Sequence, residues 1–110
     1  MDAQTLLRAN HTAIAVFTKG PKFHLNPDGS GSTGDWVIDP KLDVDKVIVY
    51  QRKEDTNEVY VADYDGLSPA GERRHKIHFL NARLVDSTDK PWTEFAGPGQ
   101  NPIRYIHGEE

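Results

Sequence analysis

The sequence predicts a mainly β (α+β) fold: a single curved antiparallel sheet or a small β-barrel of five to six strands, with one or two short helices. Two apolar stretches, 46–51 and 58–64, and a long basic stretch, 73–85, carry this prediction. They are rich in β-branched and aromatic residues, and the first two alternate with the period of a strand. The 110 residues suit one domain, so we expect 1–110 to fold as a unit.

The stretch 46–51 is apolar on both of its faces. Alternation places Val47 and Val49 on one side and Ile48 and Tyr50 on the other. Because a strand at the edge of a sheet rarely needs two apolar faces, we expect this strand to be central. A polar bend joins it to the next strand as a hairpin.

Two further strands and two shorter extended pieces are expected. The uncharged apolar run 12–17 predicts a buried strand, and 102–106 predicts a final strand. Shorter extended pieces are expected at 23–25 and 35–38.

The long basic stretch changes phase along its length. Ile77 and Phe79 place apolar residues at odd positions, whereas Ala82 and Leu84 place them at even positions. A shift of one residue swaps the two faces of a strand, so the pattern predicts a β-bulge near 80–81.

The remaining segments predict loops and short helices. A short helix is expected within the N-terminal segment 1–11, and a helical turn within 88–95. The Gly/Ser-rich stretch 26–34 predicts a flexible loop, and 65–71 predicts a second loop.

Charge and composition exclude several classes of protein. Thirteen basic against seventeen acidic residues give a net charge of −4, which argues against a general phosphate-coating protein. The absence of cysteine excludes disulfides, thiolate metal sites and cysteine nucleophiles. No signal peptide or membrane-spanning stretch is visible, so the expected location is cytoplasmic, with no membrane partner.

The glycine-rich stretch matches a nucleotide-binding pattern only in its letters. Gly29–Gly34 spells G-x-G-x-x-G, but a dinucleotide site needs a strand before it and a helix after it. An extended run broken by Pro40 follows instead. The stretch is therefore a mobile loop, or a loop that closes over a ligand with Trp36 at its base.

No metal, cofactor or catalytic pattern stands out. His75 and His78 are three apart on an expected strand, so they point to opposite faces and cannot chelate one ion. Asp43 and Asp45 are too few for a calcium loop, and no serine has a G-x-S-x-G context. We expect neither metal nor cofactor, and enzymatic activity stays open with no catalytic residue assigned.

The order of strands is similar to that of the PUA-like superfamily, particularly its EVE and ASCH branches. The resemblance rests on the runs 45–50, 58–63 and 76–85 and covers about 35–106. It implies a curled β-barrel with flanking helices and an aromatic-lined cleft, which several members use to recognise RNA or modified bases. By position, Trp36 would lie near the cleft mouth and Trp92 beside it. This chain has Asp45-Lys46 where the family has a glycine–aspartate entry.

Two functions follow from these observations. The first is a small module that binds a nucleobase, a modified base or a nucleotide-like ligand, including nucleic acid, in an aromatic cleft. Its aromatic and basic site residues would be Trp36, Tyr50, Trp92, Arg73, Arg74, Lys76 and Arg104. The alternative is a protein-interaction domain with no small ligand, using an apolar patch around Tyr60, Ala62 and Tyr64.

Overall fold

The computed structural model describes Leu7 and residues 11–19, 22–53, 56–88, 91–95 and 102–108, which form strands and one short helix. In chain order these are β1 (Thr12–Thr18), β2 (Phe23–Leu25), β3 (Gly31–Val37), β4 (Lys46–Arg52), β5 (Asn57–Gly71), β6 (Arg74–Thr88), α1 (Trp92–Phe95) and β7 (Ile103–His107). The mainly β class is therefore confirmed. The described residues hold seven strands instead of five or six, and a helix of four residues.

All seven strands form one sheet in the order β2-β3-β6-β5-β4-β1-β7. Every neighbouring pair is antiparallel except β1 and β4, which are parallel. The predicted antiparallel sheet is therefore mixed, with this one parallel pair. Parallel neighbours need a long crossover, and the segment between β1 and β4 supplies it by carrying β2 and β3 to the far edge.

The sheet is rolled but does not close into a barrel. Five strand spacings separate β3 from β7, which would be about 24 Å in a flat sheet. Residues 35–37 of β3 and 103–105 of β7 nevertheless line one groove. The rolling therefore brings two distant strands to face each other across the opening of the sheet.

Two apolar clusters lie on opposite faces of this sheet. The first core, against which α1 and Leu7 pack, consists of Leu7, Ala13, Ala15, Ile48, Tyr50, Val59, Val61, Trp92, Phe95 and Ile106. The second core, enclosed by the rolled sheet, consists of Ile14, Val16, Trp36, Ile38, Val47, Val49, Ala62, Ile77 and Phe79. Buried apolar area on both faces is what stabilises the sheet.

The predicted central strand is confirmed. β4 lies between β1 and β5, with Ile48 and Tyr50 in the first core and Val47 and Val49 in the second. The predicted bulge is also confirmed. Val61 and Asp63 on β5 pair with Arg83 and Leu80 on β6, so two residues of β6 stand opposite one of β5.

The stretch 65–71, expected as a loop, instead continues β5 to its pairing with β6. Its turn-forming residues are tolerated because β4 pairs only with the first half of β5. Pro69 therefore needs no hydrogen-bonded N–H on that side. The register shifts between Tyr64 and Leu67, where Gly66 has a φ of 103°. The chain reverses instead at 72–73, where Arg73 has a φ of 62°.

The Gly/Ser stretch is shorter as a loop than expected. Residues 31–34 belong to β3, leaving a turn at 26–30. The register of β3 with β6 shifts between Thr33 and Trp36, where the Gly34–Asp35 peptide bond is cis. The expected N-terminal helix over 3–9 lies outside the described residues except for the buried Leu7.

Candidate functional site

A groove of about 710 Å³ separates β3 from β7 at the opening of the rolled sheet. We call it the β3–β7 groove. It is lined by Lys22, Asp35, Trp36, Val37, Arg74, Pro102, Ile103, Arg104 and Tyr105. Its volume lies within the range of sites that bind small molecules.

Trp36 forms a fixed floor for the groove. Its side chain is 4% exposed, and its Nε1 donates a hydrogen bond of 3.1 Å to Thr33 Oγ1. The Thr33 hydroxyl donates in turn to the Lys22 carbonyl oxygen at 2.6 Å. The Lys22 ammonium lies 4.7 Å from the centre of the Trp36 ring, a cation–π contact. Because its N–H is bonded and its ring covered, Trp36 supports the site instead of stacking on a ligand.

Positive charge predominates around the groove. Among the described residues, three cationic residues line it, Lys22, Arg74 and Arg104, together with one acidic residue, Asp35. Arg74 Nη1 donates a hydrogen bond of 3.4 Å to the Asp35 carbonyl oxygen, which holds the exposed guanidinium at the rim. Converging guanidinium and ammonium groups favour an anion, and guanidinium groups match carboxylate and phosphate oxygens in particular.

Tyr105 is the exposed aromatic residue of the groove. Its side chain is 55% exposed although its partner on β1, Ile14, is fully buried. A flat ring that remains exposed beside cations is a suitable surface for a planar ligand.

The predicted site residues separate into three places. Trp36, Arg74 and Arg104 lie together in the groove. Arg73 lies at the exposed turn beyond Arg74, and Lys76 lies exposed two residues further along β6.

Tyr50 and Trp92 lie elsewhere, in the first core on the opposite face. Tyr50 is 1% exposed and Trp92 is 7% exposed, with their ring centres 5.6 Å apart. Both pack against the ring of Phe17. The three aromatic residues expected to stack around a ligand therefore do not share one cleft.

The apolar patch of the alternative function is partly buried. Ala62 is 3% exposed and belongs to the second core, and Tyr60 and Tyr64 pack against that core. The Tyr64 hydroxyl donates a hydrogen bond to the Leu42 carbonyl oxygen at 3.3 Å. Burial raises the pKa of both tyrosines, aided by Glu58 at Tyr60 and by Asp43 at Tyr64.

Lys22 and Tyr105 are site residues that we did not predict. Lys22 follows Gly-Pro in the sequence and belongs to no motif, and Tyr105 occupies an ordinary position in a strand pattern. Residue type alone could have suggested them, because Lys22 is cationic and Tyr105 is aromatic. Only the rolling of the sheet brings them within reach of Arg74.

A separate polar cluster ties β4, β5 and β6 together. The Lys46 ammonium lies 2.5 Å from Asp63 Oδ1, and Asn81 Nδ2 donates to Asp63 Oδ2 at 2.8 Å. Hydrogen bonds from Lys46 and then Asn81 hold the pKa of Asp63 below its usual range. The cluster favours the ionised carboxylate and fixes the backbone at the bulge.

A serine–histidine pair lies on the outward face of the sheet, with Ser68 Oγ 2.7 Å from His78 Nε2. A nucleophilic serine also needs a group that orients its histidine. The described part of the chain gives His78 no second hydrogen-bond partner. Across the same residues, no group of three or more histidine or acidic side chains could hold a metal ion.

Comparison of the chain with family models, with curated proteins and with solved structures finds no match. Where the chain is described, no helix is long and apolar enough to cross a membrane.

Proposed function

We propose that the protein is a small binding module for a phosphate-bearing, nucleotide-like ligand held in the β3–β7 groove. The phosphate lies among Lys22, Arg74 and Arg104, and the base stacks on Tyr105. One observation carries the proposal: three cationic residues and an exposed tyrosine, from segments far apart in the chain, line one groove.

The net charge of −4 is compatible with this function. Binding of a small anion depends on the local field of the groove more than on the summed charge. A protein that is acidic overall but cationic in one groove would also bind polyanions weakly elsewhere on its surface. Recognition would therefore depend on the cationic residues at and beside the groove.

The PUA-like relationship and the cytoplasmic location remain predictions that the comparisons do not test. Nucleobase and nucleic-acid recognition is common to the PUA-like resemblance and to the groove. The groove as proposed differs from the aromatic cleft expected from the sequence, because it uses cations and one ring instead of three stacked rings.

Calorimetric titration with a nucleoside monophosphate at low salt tests the proposal. We expect saturable binding that weakens as salt is raised, since phosphate contacts release counterions. Arg74→Gln should weaken it about fivefold, as expected for loss of a charge-assisted hydrogen bond. Arg52→Gln, which removes an exposed cation at the end of β4, is the matched control and should leave the affinity unchanged.

A second pair of variants tests the base contact. Tyr105→Ala should weaken binding about tenfold, whereas Tyr105→Phe should retain it, because stacking needs the ring and not the hydroxyl. Failure of the unaltered protein to bind any nucleotide at low salt would overturn the proposal. Binding of a protein partner at the same groove would then become the alternative.

A further inference from the structure

The outward face of β6 carries a row of nitrogen-bearing side chains that begins at the groove. Arg74, Lys76 and His78 occupy alternate positions of the strand, while Ile77 between them is fully buried in the second core. Alternate residues of a strand share one face and are separated by about 7 Å. We call these three residues the β6 basic row.

Two serines pair with members of the row on the neighbouring strands. Ser68 on β5 pairs with Lys76, and Ser32 on β3 pairs with His78. A Cβ atom at Gly34 would lie 2.9 Å from Lys76 Cγ, so the lysine stem lies close over the glycine backbone. The register shifts also leave Asp35 of β3 in the bulge opposite Lys76 and Asp65 of β5 in the bulge opposite His78, so two carboxylates lie on the neighbouring strands.

Arg74 belongs to both the groove and the row. It lines the β3–β7 groove beside Trp36, and it is the first residue of β6. The exposed Arg73, at the turn before it, adds a fourth cationic or titratable side chain to the same end of the sheet. Glu72 at that turn is acidic. Arg74 is therefore the residue that connects the groove to the β6 basic row.

We infer, on the basis of the proposed function, that the ligand is a single-stranded nucleic acid of several nucleotides. One nucleotide occupies the groove against Tyr105, and the phosphates that follow run along the β6 basic row. A single nucleotide would leave Lys76 and His78 unused, whereas a strand with one charge per nucleotide meets successive members of the row. Sequence-tolerant binders of single strands combine a cationic track with an exposed aromatic ring in the same way.

Titration with uridine monophosphate and with oligouridylates of three and six nucleotides tests the inference. We expect affinity to rise about tenfold or more from the monophosphate to the hexanucleotide, because each added phosphate contact releases counterions. Lys76→Gln should weaken hexanucleotide binding about fivefold, and much more than it weakens monophosphate binding. It should also reduce the slope of log affinity against log salt concentration by about one, the value for one phosphate contact. Arg52→Gln again serves as the charge-matched control.

The outcomes separate this inference from the proposed function. Binding of the monophosphate without any gain in affinity with length, or without an effect of Lys76→Gln on the hexanucleotide, would overturn the inference and leave the groove function standing. Absence of binding by all three ligands would overturn both. Equal binding of a heparin hexasaccharide, insensitive to Tyr105→Ala, would replace nucleic acid by a general polyanion and also overturn the inference.

Discussion

Gly31 lies where the backbone of β2 and the ring of Phe79 leave no room for a methyl group. A Cβ atom there would lie 2.1 Å from the His24 carbonyl oxygen and 2.8 Å from Phe79 Cζ. Phe79 is fully buried in the second core, so its ring cannot move aside freely. In the Gly/Ser-rich stretch 26–34, whose composition predicted a loop, this glycine therefore allows close packing.

Gly31→Ala should lower the free energy of unfolding by about 2 kcal/mol or more, as overpacking beside a core does. Urea denaturation measures the change. Ser32→Ala, at the next position of β3, is the control and should change stability by less than about 0.5 kcal/mol. Equal stability of the two variants would show that β2 does not pack over Gly31 as described.

The Asp63 carboxylate should make stability depend on pH. Its pKa is lowered in the folded protein by hydrogen bonds from Lys46 and Asn81, so the unfolded chain binds the proton first. The stabilisation is present above the usual aspartate pKa and is lost as pH falls through the lower, folded value. Because the side chain is 43% exposed, solvent screening keeps the effect below about 1 kcal/mol.

Asp63→Asn tests this contribution. The difference in unfolding free energy between the unaltered protein and the variant should shrink as the pH is lowered from 7 to 3. Lys46→Gln, which removes the first hydrogen-bond donor, should reduce the same pH dependence. A difference that stays constant with pH would contradict the assignment.

At the residue scale, the sequence indicated the kinds of side chain that form the candidate site but not their grouping. Arg74 and Arg104 were predicted from their charge, and both line the groove. Trp92 was predicted from its aromatic ring, yet it lies in the first core. Residue type predicts what a side chain can bind, whereas exposure depends on which face of the sheet it occupies.

At the scale of elements, the bulge in β6 is the feature that the sequence predicted most directly. The change of phase in the apolar pattern located it, and the register shift lies at the same place. Asn81 occupies the bulge with a φ of 56°, a conformation that asparagine tolerates better than most residues. The Asn81 amide also donates to Asp63.

Asn81→Val should be more destabilising than Asn81→Gly, as measured by thermal denaturation. A β-branched residue at positive φ costs about 1 to 3 kcal/mol, whereas glycine adopts that conformation without strain and loses mainly the side-chain hydrogen bond. Equal loss in both variants would place the effect in the hydrogen bond and not in the backbone.

The second half of β5 could not be predicted in the same way. Its sequence contains Gly66, Pro69 and Gly71, which in isolation favour turns. Pairing with β6 on one side only allows these residues in a strand, and a register shift absorbs Gly66. Whether a neighbouring strand is present is a tertiary property, so local pattern alone gave the wrong element.

At the scale of the whole molecule, the two cores separate stability from binding. Phe95 is 2% exposed in the first core, with its ring centre 5.1 Å from that of Tyr50. The groove lies at the opening between β3 and β7, and its floor, Trp36, belongs to the second core. A change confined to the first core should therefore leave the groove intact.

Phe95→Leu should lower the free energy of unfolding by about 1 to 2 kcal/mol, through lost packing against Tyr50 and Trp92. Nucleotide affinity, measured well below the unfolding midpoint, should stay within about twofold. Trp36→Phe is the complementary variant and should lower both stability and affinity, because Trp36 supports Lys22. A large loss of affinity in Phe95→Leu would show that the two faces are coupled.

The rolling of the sheet was anticipated only in general terms. Curvature follows from the predicted bulge and from the usual twist of strands. The meeting of β3 with β7 depends on strand order, and the parallel pair β1–β4 sets that order. The periodicity of the sequence does not indicate that β1 and β4, which are separated by a long crossover, are neighbours in the sheet.

That parallel pair also affects how the chain acquires its structure during synthesis. β4, β5 and β6 are consecutive in the chain and adjacent in the sheet, so they can assemble locally and early. β1 is translated before them, yet its partner β4 is complete only at Arg52. Its apolar run 12–17 therefore leaves the ribosome before its partner strand has been synthesised. Exposed apolar segments of this kind favour binding by chaperones. β7 pairs only with β1, so it is the last strand for which a docking edge becomes available.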